Sequence, residues 1–417
     1  MKRLVFTGIS LFLGLVAGLA IAEMLARILY PASEELAGTI ILKVGSPPDF
    51  LPEVGSFPWR NSQYRHRVIG DFDNIVAFND RGLRGPVIPY EKPPGEIRIL
   101  YVGDSFVEAA QVQDHETVYH QLEKLFRDNG LKVTVIGAGR NGWGTDQPYL
   151  YYRHEGYRYA PDLVLYQFIT NDVTDNASNS FGQKGRKRQY FEIRNGALVP
   201  ADRTPSASSS LYYMLARIKR HLLLSSRLFV LLNAVTKSGN IDDPAAPVQT
   251  PLQPSAAAKP NPLIYAFQEP YTPQYEDAWM LTELLIAQWD NEVRRHNAVF
   301  GVVYGPSHWA IHDWDRIPAI YPFLRNEFPN WRRDKPDKYL ARISTRHDIP
   351  LHNLSAAFHK CSGMTNERYY FRNDGHWNAA GHRLAARVTF NWLLTNPDLW
   401  RRNAQKPAGI TPLSPCP

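Results

Sequence analysis

Cysteine is nearly absent from this chain, with 2 residues in 417. Two thiols exclude a disulfide-rich scaffold and a cysteine-based zinc site. They permit one bridge at most, between Cys361 and Cys416, and their spacing does not say whether it forms. A strong charge of one sign is also lacking. Lys and Arg number 47 against 40 Asp and Glu, a net +7 spread over a chain of mixed signs. A dedicated nucleic-acid binder gathers its basic residues into a stripe, so no nucleic-acid partner is expected. There is no His-Glu-x-x-His motif. His308 and His312 stand four apart with Asp313 and Asp315 close by, but Trp309, Trp314, Pro306 and Pro318 argue against a regular helix there. No metal and no cofactor are therefore expected. With 44% hydrophobic residues the chain has ample material for a core and is not a disordered polymer.

Long apolar runs are confined to the N-terminus. Met1-Lys2-Arg3 is followed by Leu4 to Ala22, a stretch free of charge. As a helix it spans roughly 28 Å, close to the hydrocarbon thickness of a bilayer. Two readings fit: a transmembrane anchor, or a signal peptide cleaved after the small-x-small sequence Ala20-Ile21-Ala22. Apolar residues continue in Met24-Leu25-Ala26 and Ile28-Leu29, which favours the anchor. Lys2 and Arg3 would hold the N-terminus in the cytoplasm. The expected location is the inner membrane of a bacterium, single-pass, with the rest of the chain in the periplasm.

Residues 31–96 have no sustained period and read as an extended lead-in, ending in the turn-rich Phe78-Asn79-Asp80-Arg81-Gly82-Leu83-Arg84-Gly85 packed on the main domain. Strands then alternate with helices. Ile97–Val102, Lys132–Ile136 and Leu163–Phe168 read as strands, and Val118–Asn129 as an amphipathic helix with Leu122, Leu125 and Phe126 on one face. A helix continues through Tyr149–Gly156. The alternation stops near residue 180 and resumes near 276, with a helix at Tyr275–Asn297, a strand at Val299–Tyr304, a helix at Lys338–His347, a short strand at Pro350–Leu354 and a helix at Ala379–Leu394. The predicted fold is α/β, a three-layer parallel sheet with helices on both faces. It is divided into 97–180 and 276–400, with a tail at 401–417. The insertion, 181–275, carries the basic cluster Lys184, Arg186, Lys187 and Arg188 and a hairpin at Tyr190–Val199 turning on Asn195-Gly196. An apolar helical segment, Leu211–Ala234, and a Pro/Ala/Ser-rich linker at 236–262 complete it.

Four short motifs fall at strand ends, where open α/β sheets place their ligands. They are Gly103-Asp104-Ser105-Phe106; Gly137-Ala138-Gly139-Arg140-Asn141-Gly142-Trp143-Gly144; Asn171-Asp172; and Asn373-Asp374-Gly375-His376-Trp377-Asn378. Together they supply a hydroxyl nucleophile, a base, a carboxylate, a backbone N–H and an amide, which is the inventory for acyl transfer. Singly, each has a structural reading. Ser105 could cap a helix, Asp104 could hold its turn, and Asn171-Asp172 could close a loop. Gly137-x-Gly139-x-x-Gly142 also fits a dinucleotide fingerprint, but Asp162 precedes its strand instead of ending it, which counts against that reading.

The ordered set resembles the SGNH (GDSL-type) hydrolases over residues 97–180 and 276–395. That resemblance implies Ser105 as nucleophile and His376 as base. It also implies an oxyanion hole from the backbone of Ser105 and Gly142 and the side chain of Asn171. The family spacing is Asp-x-x-His, whereas Asn373 stands three residues before His376 and Asp374 two before it. If 374–376 is extended, Asp374 and His376 point the same way, so Asp374 is taken as the orienter. The Asp-x-His-Trp string is similar to that of polysaccharide O-acetylation enzymes. His382 is the competing histidine. Trp143, Trp309 and Trp377 are candidate flat walls for a sugar ring or acyl chain. The expected activity is serine ester hydrolysis or acyl transfer, with an acetylated envelope polysaccharide as the substrate class. A non-catalytic envelope protein of the same fold is the alternative, as is a lipid esterase with 211–234 lining an acyl channel. The oligomeric state is not legible.

Overall fold

The computed structural model describes residues 2–29, 39–44, 50–51, 54–56, 60–68, 70–178, 180–181, 190–201, 222, 226, 228–229, 262–326, 328–365, 367–400 and 410–416. The basic cluster at 184–188, nearly all of 211–234 and all but the last residue of 236–262 lie outside them. The chain divides into two compact units, one of residues 1–42, 67–69 and 204–250 and one of 43–66, 70–203 and 251–417.

In the first unit, α1 runs Lys2–Leu29. Among the described residues no helix is long and apolar enough to cross a membrane. The expected span at Leu4–Ala22 therefore finds no support there, and the side chains at 2–5, 8–9 and 11–12 lie outside the described set. On the described part of α1, Leu13, Leu15, Leu19, Ile21 and Met24 are exposed.

The second unit includes β1 (Ser62–Val68) as far as His66, and β2 (Phe72–Phe78), the two being neighbours in a small sheet. This hairpin lies in the segment read as an irregular lead-in. Its buried positions explain the misreading: Ser62, Tyr64, His66 and Asn74 point inward, so the alternation is not one of aliphatic against polar. Next come β3 (Ile97–Gly103), the single-turn α2 (Ser105–Glu108), α3 (Val118–Asp128) and β4 (Val133–Gly139). They are followed by α4 (Asp146–His154), β5 (Leu163–Phe168) and α5 (Asn171–Asn176). The expected hairpin forms as β6 (Phe191–Arg194) and β7 (Ala197–Pro200), antiparallel, with Asn195 and Gly196 both at positive φ. The second half contains α6 (Pro273–Arg295), β8 (Val299–Tyr304), α7 (Lys335–His347), β9 (Leu351–Asn353), α8 (Ser355–Met364) and α9 (Ala379–Thr395).

Five strands form one parallel sheet in the order β9-β8-β5-β3-β4. β5 is central and every one of its six residues is buried, as a continuous apolar run predicts for a strand covered on both faces. Side chains alternate between two cores. Leu100, Val102, Val164, Tyr166 and Phe300 pack under α4, α6 and α7, where Tyr152, Trp289 and Leu340 meet them. Ile99, Tyr101, Val135, Leu165 and Val303 pack under α3, α8 and α9, against Leu122, Phe358 and Phe390. The three-layer parallel expectation is met. The chain reverses its direction of winding between β3 and β5, and open α/β sheets leave a crevice at that point, outside the strands' carboxyl ends. A bridge between the buried Cys361 on α8 and Cys416 closes the C-terminal segment.

Candidate active site

Ser105 follows β3 at that crevice. The turn is tight: a Cβ on Gly139 of β4 would lie 2.4 Å from the Glu108 nitrogen and 2.7 Å from the Asp104 carbonyl, so only glycine lets α2 sit so close to the sheet. Asp104 is the helix cap, its Oδ1 accepting from the Phe106 N–H at 2.9 Å. Capping is therefore done by Asp104, and the Ser105 hydroxyl is left for another partner. Its Oγ lies 2.7 Å from Nε2 of His376 and 3.4 Å from Oδ2 of Asp104. Nδ1 of His376 in turn lies 2.5 Å from Oδ1 of Asp374. A carboxylate only accepts, so Nδ1–H donates to Asp374 and Nε2 is free to accept from the Ser105 hydroxyl. This relay can draw the proton off Ser105.

The pairing does not come from an extended segment. Residues 372–374 form a turn, and Gly375 sits at φ +80, which swings Asp374 and His376 to one side. A Cβ at Gly375 would lie 2.9 Å from the ring of His308. Burial disfavours the His376 imidazolium, but the charge and hydrogen bond of Asp374 outweigh it and the pKa rises above 6.5. Burial likewise works against the Asp374 carboxylate, yet His376 holds its pKa below the usual value. His382 is not a rival base. It is buried in α9, accepts from the Val118 N–H at 3.2 Å, and burial pushes its pKa down to about 3.

The oxyanion candidates fare unevenly. Gly142 has φ +81, and its loop is fastened to α2. Glu108, three residues after Ser105, accepts from Arg140 at 2.8 Å and from the Asn141 N–H at 2.5 Å. Asn171 lies beside the nucleophile's turn, but its Nδ2 donates to Asp104 at 3.1 Å and to Asp175 at 3.2 Å. Both amide hydrogens are engaged by carboxylates. Asp172 has the structural role foreseen for the pair, its Oδ2 accepting from Tyr166 and from the Ile169 N–H.

The three tryptophans proposed as substrate walls are corrected. Trp143, Trp309 and Trp377 are 1%, 6% and 0% exposed and cannot offer a face to a ligand. Trp143 is core beneath α4. Trp309 belongs to a separate cluster with Ile264, Phe267 and Tyr321. Trp377 stacks on Phe358 and meets the edge of Phe106, whose own ring lies 4.7 Å from that of His376. It supports the base from behind. Nδ1 of His308 lies at hydrogen-bond distance, 3.0 Å, from the Asp313 carboxylate, which Arg316 and Arg368 also pair with.

Residues that sequence reasoning missed include Glu108, Tyr64 and Asp71. Tyr64 donates to Glu108 at 2.9 Å from β1. Asp71, in the β1–β2 turn, accepts from the backbone N–H groups of Arg372, Asn373 and Asp374 at 3.2, 2.8 and 2.8 Å. The only advance signal for Glu108 was its spacing from Ser105 on one helical turn. A cavity of about 370 Å³ lined by Arg294, Val299, Ser344, Asp348 and Leu399 opens at the opposite ends of the strands, away from Ser105.

In the order of its four motifs the chain resembles the SGNH hydrolases. No protein-family model matches the sequence, and no curated protein matches it either. Among solved structures, an acetyl xylan esterase aligns at 12% identity over 71% of this chain and 100% of its own, with a TM-score of 0.39. A lipase/acylhydrolase from Enterococcus faecalis aligns at 11% identity over 71% of this chain and 95% of its own, with a TM-score of 0.36. An acetylxylan esterase from Geobacillus stearothermophilus aligns at 12% identity over 71% and 93%, with a TM-score of 0.35. What the site can do follows from its own geometry.

Proposed function

We propose that the protein is a serine esterase of SGNH type that hydrolyses or transfers the acyl group of an ester, with an acetylated cell-envelope glycan as substrate class. The observation that carries this reading is the unbroken hydrogen-bond chain Ser105–His376–Asp374 at the carboxyl ends of β3 and β5. Ser105 Oγ attacks the ester carbonyl as its proton passes to Nε2 of His376, and Asp374 keeps the imidazole in the required tautomer. The tetrahedral oxyanion faces the N–H groups of Ser105 and Gly142, with Asn171 joining once it exchanges a carboxylate partner for the oxyanion. The leaving alcohol takes the proton back from His376. Water, or a sugar hydroxyl in a transferase, then gives its proton to His376, attacks the acyl-serine and restores Ser105.

The oxidised Cys361–Cys416 pair supports an extracytoplasmic location, since such bridges persist outside the cytosol. With it we propose α1 as the membrane anchor of a single-pass protein. The exposed apolar side chains from Leu13 onward favour this, although no described helix meets the length and apolarity of a span.

The test is turnover of p-nitrophenyl acetate together with labelling by a fluorophosphonate probe. Ser105→Ala is expected to abolish both, and undiminished turnover in that variant would remove the mechanism. The engagement of Asn171 by Asp104 and Asp175 is what favours the non-catalytic alternative, in which the wild-type chain takes up no probe.

A further inference from the structure

We infer that Asp71 is a positioning residue: its carboxylate, presented by the β1–β2 turn, sets the loop that carries Asp374 and His376. The inference rests on the esterase reading above for its kinetic consequences, though not for its structural one.

The loop at 371–376 belongs to no helix or strand. Within it the Phe371 N–H donates to the His376 carbonyl at 2.9 Å and the Gly375 N–H to the Phe371 carbonyl at 3.3 Å. The three N–H groups between them, of Arg372, Asn373 and Asp374, converge instead on Asp71. Successive amides turned inward in this way form an anion-binding concavity, and a carboxylate fills it with charge-assisted bonds. Asp71 Oδ2 takes the Asp374 N–H directly, so it fixes the backbone of the residue whose side chain orients His376. Asn373 adds its amide to Asp71 Oδ1 at 3.4 Å. This external carboxylate accounts for a short Asp-x-His spacing that holds without regular secondary structure.

Asp71 is itself anchored to the nucleophile's side of the site. From β1, Tyr64 donates to Glu108 on α2. From β2, Asn74 Nδ2 donates to the Ala110 carbonyl at 2.9 Å, and Phe72 packs on Phe371 with ring centres 5.0 Å apart. The hairpin thus grips both α2, which starts at Ser105, and the loop that ends at His376. It sets the separation of nucleophile and base.

The experiment uses the full chain and compares wild type with Asp71→Asn, Asp71→Ala and Asp71→Glu. An asparagine keeps one acceptor oxygen but turns an NH2 toward three N–H groups. With the esterase active, Asp71→Asn is expected to lower kcat by about 10–100-fold, as sub-ångström misplacement of catalytic groups does, with KM nearly unchanged. The acidic limb of the pH profile is expected to move down toward about 6.5, the ordinary histidine value, because the hold of Asp374 on His376 is loosened. The groups that act on His376 are Asp374 on its loop, Asp104 and Glu108 on the α2 turn, His66 on β1 and His382 on α9, with His308 beside Gly375. None of them is altered in the variants. Asp71→Glu, which retains the carboxylate, is expected to recover part of the loss.

An activity-independent readout is the deshielded Nδ1 proton of His376 in the 1H NMR spectrum, assigned by its loss in His376→Asn. Asp71→Asn is expected to weaken or shift it while thermal unfolding stays cooperative. A folded Asp71→Asn with unchanged resonance and unchanged pH limb overturns the inference, even if kcat falls. If wild type turns over no ester, the esterase reading fails and the resonance alone decides on Asp71. Its loss in Asp71→Asn and Asp71→Ala supports the positioning role, and its persistence refutes it.

Discussion

Single residues carry the chemistry, and those in motifs were the readable ones. Ser105, His376 and Asp374 were all named from short strings, and the fold brings them into one hydrogen-bond chain. The reason given for the Asp374–His376 pairing was wrong in detail, because the segment turns at Gly375 instead of extending. Trp143, Trp309 and Trp377 were misread because an aromatic beside a motif looks the same in sequence whether it faces ligand or core; burial decides, and it needs the fold. Asp71 was invisible because its partners are backbone amides about 300 positions away, which leave no residue pattern. The electrostatics of His376 give a prediction with a definite sign. Its pKa is raised in the folded protein despite burial, chiefly by Asp374. The base must be neutral, so kcat/KM should fall as pH drops, with a midpoint above about 6.5. A pH–rate profile with its limb at or below that value contradicts the pairing. The same shift has the opposite effect on stability: the raised pKa contributes below about 6.5 and is lost as pH rises through the folded value. The lowered pKa of Asp374 contributes above the ordinary aspartate value and is lost as pH falls through its own. Activity therefore rises as the histidine's share of this stabilisation is lost, while the aspartate's share remains.

At the scale of elements, apolar runs between turn signals located all five strands of the main sheet, four of them to within a residue at each end, while the strand expected at Lys132–Ile136 continues to Gly139. Leu163–Phe168 and Val299–Tyr304 were placed without error. The β1–β2 hairpin was missed because its inward face mixes Val76 and Phe78 with Ser62, His66 and Asn74, while Ile75 is exposed. Tyr64 and Asn74 face inward because they bond Glu108 and the carbonyls of Ala110 and Val112, so the same contacts that make the hairpin functional hid it. The most connected point of that junction is Glu108. Its buried carboxylate accepts from Tyr64, Arg140 and the Asn141 N–H, joining hairpin, nucleophile helix and the Gly142 loop. Removing one member of a buried charged pair typically costs about 3–5 kcal/mol. Glu108→Ala should therefore lower stability by about that amount in urea or guanidinium titrations, and should slow turnover beyond what the unfolded fraction explains. A loss within about 0.5 kcal/mol, the size of an ordinary surface substitution, would show that the junction is not held by this carboxylate.

For the whole molecule, the parallel α/β sheet was legible from the alternation of strands and helices that places β3, β4 and β5 before residue 180 and β8 and β9 after 276. Within the interruption the described residues bear on one expectation, the hairpin at Asn195-Gly196, where the turn residues are diagnostic. The pairing of Cys361 with Cys416 was not legible, since two thiols 55 residues apart meet only because the C-terminal segment returns to α8. Asn391 of α9 holds that segment at Leu413 through both its backbone N–H and its carbonyl. Chain-entropy arguments give a loop of this length about 4 kcal/mol of stabilisation. Reduction, or the double substitution Cys361→Ala with Cys416→Ala, should lower the midpoint of thermal unfolding accordingly, and an unchanged midpoint would contradict that share. The bridge also divides the triad in a topological sense. Asp374 and His376 lie within the covalent ring it closes, and Ser105 lies outside. Backbone scission anywhere between the two cysteines leaves base and nucleophile on one molecule as long as the sulfurs stay joined, so a nicked chain loses its integrity only in the presence of a thiol.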